Sequence, residues 1–157
     1  MTGEEMGVLY DKFSGTVYRV ALSYCRNVQD AEDVMQDVFL KRFSLSRSFP
    51  DDMQEKAWLI RMTVNRCKNL LKAIRRRNAV PLEDAASLCV TEEESGIWEA
   101  VAALPVKYRL VIRLYYGEGY SVKEIAAMLR RSETAVQTQL YRARELLRDI
   151  LGEEVTP

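Results

Sequence analysis

Apolar side chains recur every three or four residues through most of this chain, the period of a helix that buries one face. Met6, Tyr10, Phe13, Val17, Val20 and Tyr24 line the core face of a first helix expected from about Glu4 to Cys25. Asn27 to Gln29 read as a turn, and Asp30 as the cap of a second helix reaching about Ser46, with Ala31, Val34, Met35, Val38 and Phe39 inward. Ser48-Phe49-Pro50-Asp51-Asp52 has the composition of a loop. A third helix is expected from about Gln54 to Arg77, with Ala57, Ile60, Val64, Cys67, Leu71 and Ile74 as its core stripe. From Asn78 to about Thr91 the period disappears, Pro81 intervenes, and the stretch reads as an acidic linker. A helix resumes near Glu92, with Ile97, Trp98, Val101 and Leu104 apolar, and Pro105 suits the first turn of the next, where Leu110, Val111, Leu114 and Tyr115 face inward as far as Gly117.

The last two helices are sharply punctuated. Ser121 with Glu124 forms a capping box, so a helix starts at Val122 and buries Ile125, Ala126 and Leu129. Arg130 and Arg131 occupy the turn, and Ser132 caps a final helix whose buried stripe is Val136, Leu140, Ala143 and Leu147. The opposite face of that helix carries Thr134, Gln137, Thr138, Tyr141 and Arg142, long or polar and none of them acidic. The pattern is that of a helix-turn-helix with its recognition helix second, although Arg130 stands where the turn usually has glycine. An ordinary helical hairpin with a polar outer face has the same periodicity. The fold class expected is all-α: two small helical domains, 1–77 and 92–151, joined by a flexible acidic linker over 78–91.

Composition removes several functions. Histidine is absent, no glycine-rich phosphate loop or nucleophile elbow occurs, and Cys25, Cys67 and Cys89 are odd in number and far apart. No enzymatic activity, cofactor or metal is therefore expected. No run approaches the roughly eighteen apolar residues of a membrane span, and Met1-Thr-Gly-Glu-Glu cannot start a signal peptide, so a cytoplasmic protein without membrane insertion is expected.

The net charge is zero, which by itself argues against nucleic acid. Its distribution argues the other way. Lys56 to Arg77 holds eight basic residues and no acidic one, whereas Asn78 to Val106 holds six acidic residues and no basic one. On the third helix, Arg61, Asn65, Lys68, Lys72 and Arg75 form a second stripe, edged by Trp58, Asn69 and Arg76. Cations for phosphates, amides for base edges and a ring for stacking suit nucleic acid; a basic helix lying on a membrane surface would carry more apolar bulk there. On the second helix, Gln29, Glu32, Asp33, Gln36 and Asp37 surround an outward Leu40. That face is either a docking site for a basic, partly apolar partner or a solvated acidic surface.

Three segments together resemble one family. Asp30-Ala-Glu-Asp-Val-Met-Gln-Asp-Val-Phe39 is similar to the polymerase-binding helix of bacterial sigma factors, and Ala57-Trp-Leu-Ile-Arg-Met-Thr-Val-Asn-Arg66 to their promoter-melting helix. Ala103-Leu-Pro-Val-Lys-Tyr-Arg109 through Leu147 resembles their C-terminal helix-turn-helix domain. The order and spacing resemble the short extracytoplasmic-function (ECF) class of the sigma-70 family. The resemblance implies a detachable RNA polymerase subunit that selects promoters and opens them. It implies that Asp33, Gln36, Asp37 and Leu40 dock on core RNA polymerase. It assigns Phe49 to a loop pocket for a base flipped from the melted non-template minus-ten strand, and Asn65, Lys68 and Asn69, with Arg61 and Lys72 along the same stripe, to the reading face. The recognition helix is expected to read duplex minus-thirty-five DNA through Thr134, Gln137, Thr138, Tyr141 and Arg142; Arg130 and Arg131 join them from their place at the mouth of the turn. Relatives often have a membrane-linked anti-sigma factor that holds them inactive, so such a factor joins core polymerase and promoter DNA as an implied partner.

One departure stands out. Many relatives carry cations where this chain has Gln137 and Gln139, which changes the minus-thirty-five sequence to be expected; Gln139, further round the helix, is expected to touch backbone or nothing. The rival reading is a stand-alone helix-turn-helix regulator, which needs an effector site or dimer surface and no polymerase.

Overall fold

The computed structural model describes residues 1–78 and 96–152. The chain divides into two compact units, one on each side of the stretch between them. The acidic linker expected over 78–91 lies outside the described residues except for Asn78, as do Glu92, Glu93 and Glu94. Every described regular element is helical, as the periodicity predicts.

The N-terminal unit is three helices, α1 (Gly3–Cys25), α2 (Val28–Ser44) and α3 (Asp52–Asn78), each packed on the other two. Thr2 caps α1, its side chain accepting from the Glu5 N–H. Arg26 turns the corner in the left-handed region at φ 53°, and Asn27, not Asp30, caps α2 by accepting from the Asp30 N–H at 2.9 Å. An Asn at that position satisfies an orphan donor that an Asp three residues later could not reach. Asp51 does the same for α3, accepting from the Gln54 N–H at 2.8 Å and starting the helix two residues before Gln54.

The core holds Phe13, Val17, Val20, Val34, Val38, Phe39, Ile60, Val64 and Leu71. Each such side chain contributes about 1.5–3 kcal/mol by leaving water. The face of α1 is rotated from the expected one at its start: Leu9 is buried and Tyr10 exposed, its ring edge-on to Phe39 at 5.0 Å. On α3, Leu59 and Thr63 are also buried, and Ala57 and Ile74 lie at the margin. The Thr63 hydroxyl donates to the Leu59 carbonyl at 2.6 Å, which lets a polar side chain enter the core. Cys25 and Cys67 meet as free, buried thiols, and the hydrogen bond between them, together with burial, holds Cys67 well above the usual thiol range.

The C-terminal unit packs α4 (Ile97–Ala102), α5 (Val106–Ile112) and α6 (Val122–Leu129) around α7 (Glu133–Leu151). Pro105 is the cap residue before α5 rather than its first turn. Arg113 to Gly117 form a π turn in which the Glu118 N–H reaches the Arg113 carbonyl at 2.9 Å. Gly117 is needed there for space: a Cβ would stand 2.9 Å from Arg113 Cδ and 3.4 Å from the Trp98 ring, on which the Arg113 guanidinium stacks at 4.0 Å. Ile97 and Tyr115 are less buried than their period suggests, and on α6 Met128 rather than Leu129 is fully buried.

The capping box is formed in both directions, Glu124 N–H to Ser121 Oγ at 3.1 Å and Ser121 N–H to Glu124 Oε1 at 2.9 Å. Arg130 closes α6 in the left-handed region, φ 56° and ψ 50°, while the Arg131 N–H bonds back to the Ala126 carbonyl at 2.9 Å. A side chain with a Cβ is strained in that conformation. Arg130→Gly should therefore raise the stability of the C-terminal unit by about 0.5–1 kcal/mol, the relieved strain exceeding the added freedom of the unfolded chain. Thermal unfolding checks this; a lower melting temperature would mean that Arg130 makes stabilising contacts larger than its strain.

Candidate nucleic-acid interface

Two faces of polar and basic side chains emerge from this packing, one on each unit. On α7 the predicted stripe Val136, Leu140, Ala143 and Leu147 is buried, so Thr134, Gln137, Thr138, Tyr141 and Arg142 are all exposed on the opposite side. Ser132 caps the helix by accepting from the Ala135 N–H at 3.0 Å. Its dipole adds positive potential at the end nearest Thr134. Tyr141 is 61% exposed. Its hydroxyl donates to the Glu145 carboxylate, and that bond, followed by the carboxylate's charge, raises the phenol above its usual range.

Arg130 is exposed, but Arg131 is half-buried, and its Nη1 donates to Gln139 Oε1 at 2.8 Å. Gln139 therefore has a definite partner within the protein. Pairing across the turn fixes the Arg131 side chain relative to α7. A residue read only by helical period could not disclose this, because the partner sits in a loop.

On α3, Asn65, Lys68, Asn69 and Lys72 are exposed and Arg61 is half-buried. Residues 58, 61, 65, 68 and 72 recur at three and four, so Trp58 stands at the N-terminal end of this face. Phe49, half-buried in the loop, lies against Trp58 with ring centroids 5.9 Å apart. The fold thus joins the loop aromatic to the basic and amide stripe. Two residues that periodicity does not single out stand behind Phe49. Arg42 of α2 and Glu55 of α3 form a buried ion pair, and the Arg42 guanidinium lies 5.0 Å from the Phe49 centroid.

The acidic face of α2 is organised rather than diffuse. Leu40 is 66% exposed, with Asp33 and Gln36 exposed beside it. Asp33 accepts from Gln29 Nε2 at 3.3 Å, and Asp37 accepts from Arg66 Nε of α3 at 2.8 Å. At the start of the helix, burial and then Asp33 raise Asp30 against the lowering effect of Arg77. Among the described residues no group of His, Cys, Asp or Glu is placed to hold a metal, and no helix is long and apolar enough to cross a membrane.

Comparison with known proteins gives this arrangement a family. The sigma-70 region 2 model matches residues 9–78, and the sigma-70 region 4 model matches residues 95–147. The ECF RNA polymerase sigma factor SigM of Mycobacterium tuberculosis is 30% identical over 148 residues, covering 92% of this chain and 76% of SigM. The chain belongs to the sigma-70 family. The ECF RNA polymerase sigma-E factor of Escherichia coli K12 is likewise 30% identical, covering 75% of this sigma factor and 72% of its relative. Among solved structures, the sigma factor RpoE of Bartonella quintana, crystallised with the anti-sigma factor NepR, shares the fold at a TM-score of 0.76 and 20% identity, covering 97% of each chain. CnrH, solved in complex with the cytosolic domain of CnrY, has a TM-score of 0.64 at 26% identity, covering 98% of this chain and 92% of CnrH. A sigma factor of the ECF class is an initiation factor for promoter-specific transcription by RNA polymerase.

The geometry separates two substitutions on the acidic face. Leu40→Asp should leave folding stability within about 0.5 kcal/mol, since the side chain packs on little. Asp37→Arg should destabilise by up to about 1 kcal/mol, because it breaks an exposed pair and confronts Arg66 with a like charge. Urea unfolding distinguishes them; equal stabilities would mean that the Asp37–Arg66 pair contributes nothing.

Proposed function

We propose that the two units divide promoter recognition between them. Residues 1–77 bind core RNA polymerase and the melted minus-ten strand, and residues 92–151 bind the minus-thirty-five duplex. The observation that carries this reading is the placement of Phe49 against Trp58 at the head of the Arg61, Asn65, Lys68, Asn69 and Lys72 face. An aromatic group beside exposed amides and cations suits an extruded base: the ring offers stacking, the amides offer hydrogen bonds to base edges, and the lysines hold phosphates. Asp33, Gln36 and Leu40, with Asp37 presented through Arg66, form the polymerase contact. Leu40→Asp, which spares the fold, should weaken core binding by about 1–3 kcal/mol.

Action through binding and positioning rather than catalysis fits this set of residues, as does a cytoplasmic site of action beside polymerase and DNA. An anti-sigma factor is a further partner by analogy with the neighbours solved in such complexes. Run-off transcription with purified core polymerase tests the function directly. Promoter-specific transcripts should require this protein. DNA binding with no transcripts on any selected template would favour a stand-alone regulator.

Specificity at minus-thirty-five follows from Gln137. Arg or Lys in the major groove favours guanine through O6 and N7, whereas Gln pairs bidentately with adenine through N6 and N7. Selection from a randomised minus-thirty-five library should give adenine at the position read by residue 137. Gln137→Arg should shift it to guanine, with about 1–3 kcal/mol of discrimination at stake. Identical selected sequences from both holoenzymes would show that residue 137 reads no base.

A further inference from the structure

The geometry points to a positioning role for the Arg42–Glu55 ion pair: it clamps the two ends of the loop and sets Phe49 in place before any base arrives. This rests on the reading of Phe49 as a base-capturing residue. Arg42 lies in the last turn of α2 and is 2% exposed; Glu55 lies in the first turn of α3 and is 8% exposed. The contact is a fork, Nε to Oε2 at 2.8 Å and Nη2 to Oε1 at 3.1 Å. It therefore joins the helix that enters the loop to the helix that leaves it.

The loop between them, Leu45 to Asp51, is mostly exposed, and Phe49 is drawn inward. Three groups surround its ring: the Arg42 guanidinium at 5.0 Å, the Arg47 guanidinium at 4.8 Å and the Trp58 ring at 5.9 Å. Arg42 Nη1 is buried and makes no hydrogen bond, so the fork to Glu55 is what orients the guanidinium plane.

Stability alone does not account for the pair. Taking two charges out of water costs about as much as their attraction returns, and an apolar pair of similar volume usually does as well or better. What an apolar pair lacks is a fixed cation facing the ring. Charge at these two buried positions therefore contributes geometry. A ring already held in place lowers the ordering cost of capturing a base.

The test uses holoenzyme and a single-stranded oligonucleotide that the wild-type holoenzyme selects from a randomised non-template library. Four sigma variants are compared: Arg42→Met with Glu55→Leu, Phe49→Ala, all three changes together, and Arg42→Lys, which keeps the charge and loses the fork. The double variant should melt at or above the wild-type temperature and bind core polymerase normally. It should nevertheless bind the oligonucleotide about tenfold more weakly, as Phe49→Ala does, with no added loss in the triple variant, because the two changes act through one element. In a Trp98→Phe background, Trp58 fluorescence should become more accessible to acrylamide in the double variant and in Arg42→Lys. Wild-type affinity in the double variant, with Phe49→Ala impaired, would overturn the positioning role and leave the role of Phe49 standing. Wild-type affinity in Phe49→Ala would overturn both. Should the double variant fail to fold, Arg42→Lys decides: wild-type affinity with unchanged Trp58 quenching would sink the proposal.

Discussion

Helix α3 has to bury one face and display another along its whole length, and the N-terminal unit is arranged around that constraint. Its buried side, from Leu59 through Val64 and Cys67 to Leu71, packs against both α1 and α2. Apolar burial on that scale is what holds a row of cations in register, half-buried Arg61 with exposed Lys68 and Lys72, since like charges gain nothing from being brought together. The same packing fixes the position of every group on the opposite face. A substitution in the core stripe would therefore disturb the groups displayed across the helix from it.

Charge is handled in three different ways. Exposed pairs such as Arg66 with Asp37 contribute little energy but decide which carboxylates of α2 remain open to a partner. The half-buried Arg131 is tied to a neutral acceptor, Gln139, which orients it without cancelling its charge. Arg42 and Glu55 are buried outright, where only a matched fork is tolerable. A net charge of zero is thus compatible with a binder of polyanions, because neutrality over the whole chain says nothing about each face.

The buried stripe of α7, the Ser121–Glu124 capping box and the Ser132 cap were legible in the sequence because all depend on spacing within one helix. So was the exposed Leu40 among its acidic neighbours. Contacts between elements were not. The start of α1 is off by one position, Leu9 for Tyr10, since tertiary packing and not the period of α1 decides which residue turns inward. Arg42 and Glu55 were invisible for a stronger reason: a reading by hydrophobic period sends charged residues outward, and only the tertiary fold shows that these two meet. The Arg131–Gln139 contact was hidden likewise, one partner lying in a turn whose conformation no periodicity describes.

That turn carries a further consequence for how this sigma factor meets duplex DNA. Glycine would relax the left-handed position of α6's end, yet Arg130 occupies it at a strain of about 1–2 kcal/mol. Two cations expected on α7 are glutamines, so on the proposed reading the phosphate attraction lost from the helix is partly recovered at its mouth. Arg130 supplies one charge there, and Gln139 holds the second, Arg131, in a fixed orientation. Phosphate contacts set affinity and its dependence on salt, whereas base contacts set sequence. On that reading the cations of the turn serve the first and Gln137 serves the second. Strain at Arg130 is then the cost of separating the two tasks on so short a motif.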